Sequence, residues 1–167
     1  ASDIKSAGVA ARNISDGISL ANIAEGGLTS AGDITARLGE LAAQASNGAL
    51  SDTQRSALDK EYQALTSELD RISNTTTFNG NAVLGSSTSI QSGIDGSATS
   101  QTAVNIPGVS AASLGVAGKS LATKAGAEAA LDATRQATAT VAAGKAEIGA
   151  ATSRLSVAFE NIQSQRL

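Results

Sequence analysis

The sequence predicts a mainly α protein: an elongated antiparallel helical bundle of two long helices and one shorter helix, with a small β-hairpin region. First, apolar residues recur at three- and four-residue steps over residues 2–46, 52–72 and 121–167, the spacing of one helix face. Second, Gly, Ser and Thr are concentrated between residues 74 and 120, where this period is lost. Third, aromatic residues make up only 2% of the chain. A core of Ala, Ile, Leu and Val is thin and suits helices lying side by side.

The first long helix is predicted over residues 2–46. Apolar or small residues follow the helical spacing along it, with a small slip near residues 21–28. Several glycines weaken this helix intrinsically, so burial must hold it. Asn47-Gly48 is a fitting stop, because Gly directly after a helix accepts positive φ.

The shorter helix is predicted over residues 52–72. Ser51 and Gln54 match the capping-box pattern, in which the Ser side chain accepts from an early backbone N–H and the Gln reaches back. The apolar stripe then advances by alternating steps of three and four, with Tyr62 in its path. The members that we assign to the packing seam are Leu58, Leu65, Leu69 and Ile72.

The last long helix is predicted over residues 121–167. Its large apolar residues recur every seven positions with small residues between them, which is typical of a helix lying along other helices. The large seam residues are Val141, Ile148, Leu155 and Ile162. Gly144 and Gly149 each cost up to about 1 kcal/mol relative to Ala, so close packing must offset that cost. At roughly 1.5 Å per residue, such a helix is on the order of 70 Å long.

The region between the helices carries turn and strand patterns. Asn79-Gly80 is a strong two-residue hairpin signal, and short strands are plausible at 82–84, 87–91 and 102–106. Residues 85–120 have too few large apolar side chains for a core of their own. This segment is therefore either a small hairpin cap on the bundle or a flexible surface excursion. In the simplest arrangement the two long helices are antiparallel, the shorter helix lies in their groove near one end, and the hairpins cap that same end.

Composition argues against several classes of function. The net charge is −3 and the twelve Lys and Arg residues are scattered, whereas nucleic-acid binding needs clustered positive charge. No apolar run approaches the roughly 20 residues of a membrane span, and no secretory signal pattern is present. The chain has no His and no Cys, which removes the usual nucleophile pairs and zinc ligands. We therefore expect no enzyme activity and no cofactor.

The carboxylates on the helices are interpreted as solvated surface charges. Asp59 and Glu61 lie two residues apart and point in different directions, as do Glu68 and Asp70, so neither pair suits acid–base catalysis. Asp33 with Arg37 and Arg55 with Asp59 have the i, i+4 spacing of helical ion pairs.

Several ordered motifs resemble one known family. Their order and spacing over about 120 residues carry the resemblance, which covers residues 2–84 and about 127–167. The motifs are Ser2-Asp3-Ile4-Lys5, Ala11-Arg12-Asn13, Asp16-Gly17-Ile18-Ser19-Leu20-Ala21, Arg37-Leu38-Gly39-Glu40-Leu41, Thr77-Phe78-Asn79-Gly80, Ile148-Gly149-Ala150 and Ser153-Arg154. Together they resemble the core of bacterial flagellin.

The resemblance implies a D1-type rod domain. Residues 1–84 would form its N-terminal part, 85–120 a short variable excursion, and 121–167 its C-terminal helix. We expect an internal fragment that lacks the terminal segments of the filament's inner core, and that folds as a monomer without polymerising. The implied function is that of a structural subunit of the extracellular flagellar filament, exported without a cleaved signal peptide, with other flagellin subunits as partners. The alternatives are a hook–filament junction protein, which shares the same helical core, and a surface-displayed binding module on a flagellin-like stalk.

The resemblance also implies contact residues. Receptor-activating flagellins are recognised by a Toll-like receptor, and the family's recognition residues correspond to Arg37, Leu41, Gln44 and Glu61 here. Positions 37, 41 and 44 share one helical face, which suits a contact strip for a receptor or a neighbouring subunit. The alternative is that Arg37, Gln44 and Glu61 are ordinary solvated residues and Leu41 belongs to the core. The Ser- and Thr-rich residues 86–113 could accept O-linked sugars, or could equally be an unmodified loop.

Overall fold

The computed structural model describes residues 2–94 and 100–166. Leu167, the predicted end of the last helix, and residues 95–99 of the predicted excursion lie outside the described residues. The elements in chain order are α1 (Ser2–Ala45), α2 (Asp52–Thr75), β1 (Thr77–Phe78), β2 (Asn81–Ala82), β3 (Ser87–Gln91), β4 (Gln101–Asn105) and α3 (Lys124–Arg166).

Helices α1 and α3 pack antiparallel along their whole length. Gly39, late in α1, contacts Thr134, early in α3, and Gly17, early in α1, contacts Leu155, late in α3. The two helices therefore run in opposite directions. The seam residues of α3 are all buried, with exposed fractions of 0–2%: Val141, Ile148, Leu155 and Ile162. Full burial of one such side chain contributes about 1.5–3 kcal/mol to stability. This exceeds the cost of up to about 1 kcal/mol that each glycine imposes on a helix, so the seam can hold helices that contain several glycines. The predicted antiparallel pair of long helices is confirmed.

Helix α2 lies against α1 and extends three residues beyond its predicted end. Leu69 and Ile72 are buried as predicted, whereas Leu58 and Leu65 are only half-buried. Tyr62 and Thr66 occupy the centre of the buried face. Leu58 and Leu65 therefore lie along the margin of the helix contact rather than inside it.

The capping box and the tight turn are both confirmed. The Ser51 side chain accepts from the Gln54 backbone N–H while the Gln54 side chain accepts from the Ser51 N–H. Asn79 and Gly80 have φ of 52° and 80°, the left-handed values that a two-residue hairpin of this type requires. Strand β2 ends at Ala82, short of the predicted strand over 82–84. The Val83 N–H still donates to the Thr76 carbonyl at 3.2 Å, and the side chains of Val83 and Leu84 are buried in the core.

The β3–β4 hairpin does not cap the end of the bundle where α2 lies. Its strands pair from Ser87 with Asn105 to Gln91 with Gln101, and Ile90 packs against Gly17 in the first half of α1. The hairpin thus occupies the half of the α1–α3 groove that α2 leaves open. The arrangement predicted from the sequence is wrong on this point, because α2 reaches only the second half of α1 and the remaining apolar groove needs a cover.

Residues 106–121, which we call the strap, run back along α2 to the start of α3. The strap has no regular secondary structure, yet most of its apolar residues are buried in the common core: Ile106, Val109, Ala111, Leu114, Val116 and Leu121. In this part the 85–120 region is neither a hairpin cap nor a surface excursion. Its few buried apolar residues form no core alone, but they pack into the core that the helices form.

Candidate functional site: a protein-contact surface

Arg37 and Glu61 form a two-pronged ion pair that joins the exposed faces of α1 and α2. Arg37 Nε and Nη2 donate to the two Glu61 carboxylate oxygens at 3.0 Å each, and Nη1 donates to Glu40 Oε2 at 3.0 Å. These hydrogen bonds, first to Glu61 and then to Glu40, raise the pKa of Arg37 above its usual value. An exposed pair of this kind adds little stability, but its bidentate geometry fixes where the side chains point. The predicted Asp33 pairing of Arg37 is not formed.

Gln44 lies two helical turns beyond Arg37 on the exposed side of α1. With Leu50, Ala57 and Leu58 it lines an open groove of about 350 Å³ at the corner between α1 and α2. Leu41 lies between Arg37 and Gln44 in sequence but is fully buried. The structure therefore brings Arg37, Glu61 and Gln44 to one surface, while Leu41 packs beneath it and offers no exposed atoms there.

The Arg55 side chain of α2 links α2 to the C-terminal end of α1. It is only 7% exposed, and its Nε and Nη2 donate to the carbonyl oxygens of Ala45 and Asn47 at 2.9 and 2.8 Å. The last carbonyls of a helix lack partners within the helix, so this guanidinium caps the end of α1. Gly48 is not in the positive-φ conformation predicted for a helix stop. Arg55 pairs with Asp52 at 3.4 Å rather than with Asp59 as predicted, because the guanidinium is turned into the corner.

Side chains on one face of α2 form hydrogen bonds with backbone groups of the strap. Asp70 accepts from the Ala111 N–H and Asp59 from the Leu121 N–H, both at 2.9 Å, and the Tyr62 hydroxyl donates to the Val116 carbonyl at 3.2 Å. Sequence reasoning treated both aspartates as solvated charges. The sequence did contain an indication of this role, because positions 59, 62, 66 and 70 have the i, i+3, i+7, i+11 spacing of one helix face. Both aspartates therefore lie on the same face of α2 as Tyr62.

Among residues 2–94 and 100–166, no group of three or more carboxylates is placed to hold a metal ion. In the same part of the chain, no helix has an apolar stretch that could cross a membrane. What α1 and α2 present is an exposed face on which Arg37, Glu40 and Glu61 are held in place by ion pairs.

Comparison with known proteins gives one consistent result. The family model described as the bacterial flagellin N-terminal helical region matches residues 1–89. B-type flagellin of Pseudomonas aeruginosa is 53% identical over 76 residues, which are 46% of this chain and 16% of that protein. Flagellin B of Vibrio cholerae is 44% identical over 79 residues, 47% of this chain and 21% of its own length. The match thus spans less than a quarter of these relatives.

A solved structure extends the similarity to the fold. The crystal structure of Bacillus cereus flagellin superposes with a TM-score of 0.76 and 30% sequence identity, and the match covers 90% of this chain and 88% of that one. With 90% of the chain matched, the similarity extends beyond residues 1–89 into more than half of helix α3. Because the family model covers more than half of the 167 residues and the fold agrees, this chain belongs to the bacterial flagellin family.

Proposed function

We propose that the chain is the helical rod of a flagellar filament subunit, which assembles with other flagellin subunits outside the cell and serves motility. The full-length packing of α1 against α3 carries the proposal, because a continuous buried seam makes a stiff rod of on the order of 65 Å that can stack into a tube. Membership of the flagellin family supports it.

Immunogold electron microscopy on cells that carry the gene tests this role. Antibodies raised against the 167-residue chain should label the filament along its whole length. Labelling confined to the hook–filament junction would instead identify a junction protein. Labelling of the cell surface away from any filament would favour the stalk of a surface-displayed binding module, and both of these patterns would overturn the filament role.

A second proposal is recognition by the flagellin-sensing Toll-like receptor. What favours it is the grouping of Arg37, Glu61 and Gln44 on one exposed face of α1 and α2. Arg37 would supply its unused N–H donors to a partner, while Glu61 holds the guanidinium in place. Leu41, fully buried, would contribute by supporting α1 beneath this face.

Receptor reporter cells test this second proposal. Arg37→Ala should reduce receptor activation while the melting temperature stays close to that of the parent, because the pair is exposed. Arg135→Ala, which removes an exposed arginine from α3, is the matched control and should leave activation unchanged. Equal activation by the parent and Arg37→Ala would reject the assignment.

A further inference from the structure

The dipeptide Asn-Gly occurs twice in the chain, and the structure holds the two copies differently. Asn47-Gly48 lies in the corner after α1, and Asn79-Gly80 forms the turn between β1 and β2. All four residues are exposed. The backbone nitrogen of the residue after an asparagine can attack the Asn side chain, and a glycine there offers no Cβ to hinder the approach. The sequence alone therefore gives both copies the same reactivity.

In the first copy, the Asn47 carboxamide is held ready for attack. Its Oδ1 accepts from the Ala49 N–H at 3.0 Å, so the side chain folds back along the backbone. The ring that this hydrogen bond closes contains both the Asn47 Cγ and the Gly48 nitrogen. When Cγ is attacked, negative charge develops on Oδ1, and the Ala49 N–H stabilises that charge as an oxyanion hole does.

Arg55 activates the Gly48 nitrogen. Its Nη2 donates to the Asn47 carbonyl oxygen at 2.8 Å, and the Leu50 N–H donates to the same oxygen at 3.2 Å. That carbonyl belongs to the peptide group whose nitrogen is the Gly48 N. A cation on the oxygen stabilises the negative charge that the peptide group carries once this nitrogen loses its proton. Within the described part of the chain, the Gly48 N–H donates no hydrogen bond that would first have to break.

The turn holds the second copy in an unreactive conformation. Asn79 has a φ of 52°, in the left-handed region. In that region ψ is about +47°, which places the following nitrogen on the side of the Cα–C bond opposite to Cβ, out of reach of Cγ. Rotating the Asn79–Gly80 peptide would disrupt the pairing of Phe78 with Asn81 that flanks it.

We propose that Asn47 is a site of spontaneous deamidation in the folded protein, whereas Asn79 is protected. The Gly48 nitrogen loses its proton to a base in solvent and attacks Cγ. The N–Cγ bond forms, the Cγ–Nδ2 bond breaks, and Nδ2 takes up a proton and leaves as ammonia. Water then opens the five-membered ring at either carbonyl, which gives aspartate or isoaspartate at position 47. Both products add a negative charge to the groove beside Gln44, without any oxidant or reductant.

Incubation of the 167-residue chain in mildly alkaline buffer, folded and in guanidinium chloride, tests the proposal. Trypsin releases Asn47 in residues 38–55 and Asn79 in residues 72–119, and fragmentation mass spectrometry then measures conversion at each asparagine. In the folded protein, position 47 should convert at least about tenfold faster than position 79 and give both aspartate and isoaspartate. In denaturant the two rates should converge, because the contacts that distinguish the sites are lost.

Gly48→Ala is the control for the ring-closing step. A Cβ at position 48 would meet only Lys124 Cε at 4.0 Å, and Gly48 does not have a positive φ, so the fold accommodates the change. The added methyl group hinders attack, so conversion of Asn47 should slow by about tenfold or more while that of Asn79 is unchanged.

Equal rates at positions 47 and 79 in the folded protein, the result expected if reaction required global unfolding, would overturn the proposal. An Asn47 that stays intact in the folded protein while the denatured chain reacts would do the same. Formation of aspartate without isoaspartate, or an unchanged rate in Gly48→Ala, would exclude the ring intermediate and with it the role given to Gly48.

Discussion

The ring of Pro107, in the strap, lies directly against the backbone of Gly144, in the middle of α3. A Cβ at position 144 would overlap the ring, whereas a Cβ at Gly149, also in α3, would meet no atom within 4 Å. The two glycines look alike in the sequence, but only Gly144 is required by a close approach.

We expect opposite effects of the same substitution at these two positions. Gly144→Ala should destabilise the protein by up to about 2 kcal/mol, because overpacking against a rigid ring outweighs the better helix propensity of Ala. Gly149→Ala should stabilise it by up to about 1 kcal/mol. Urea unfolding followed by circular dichroism measures both. Equal effects at the two sites would contradict the role given to Pro107.

Arg55 should be far more important for stability than an exposed arginine. Arg55→Met keeps the aliphatic part of the side chain but leaves the Ala45 carbonyl without the guanidinium donor and the Asn47 carbonyl with only the Leu50 N–H, and should lower the free energy of unfolding by about 1–3 kcal/mol. Arg135→Met, the control on the exposed face of α3, should change it by less than about 0.5 kcal/mol. Comparable losses in the two variants would mean that Arg55 does not cap α1.

Leu155 lies inside the buried seam, whereas Leu58 lies at the margin of the helix contact. Leu155 is fully buried beside Gly17, so Leu155→Ala should cost about 2–5 kcal/mol. Leu58 is half-buried at the edge of α2, and Leu58→Ala should cost only about 1 kcal/mol. Chemical unfolding of both variants checks the difference, and a larger loss at Leu58 would place the core elsewhere.

Tyr62 should make the protein sensitive to alkali. Burial, with a smaller contribution from the nearby Asp59 charge, raises the pKa of Tyr62 to about 12 from its ordinary value of 10. The folded state thus holds the phenolic proton more tightly than the unfolded state does. The resulting stability is fully present below about pH 10 and is lost as the pH rises towards 12. A shift of about two units corresponds to at most about 2–3 kcal/mol.

Tyr62→Phe isolates this effect. The variant should lose about 1 kcal/mol at neutral pH with the hydrogen bond to Val116, and should then lose less stability than the parent between pH 10 and 12. Tyr62 is the sole tyrosine of the chain, so tyrosinate absorbance reports its ionisation directly. Parallel alkaline unfolding curves for the two proteins, or a phenol that titrates near pH 10 in the folded state, would contradict the prediction.

The sequence by itself determined the local features of this protein. The helical period located α1, α2 and α3, the Ser51 capping box marked the start of α2, and Asn79-Gly80 predicted the tight turn. These features depend on residues within a few positions of one another, because helix periodicity, caps and two-residue turns are short-range properties. The burial of Ile148 and Leu155 followed from the same period.

Only the tertiary structure decided which distant segments meet. It placed the β3–β4 hairpin against the first half of α1, the strap over α2, Arg37 on Glu61 and Arg55 under the end of α1. Each of these contacts joins residues that are far apart in the chain, and a local sequence pattern does not predict which distant residue will be the partner. Leu41 is buried and Gln44 is exposed, so the tertiary structure also decided between the two interpretations of Leu41 that the sequence left open.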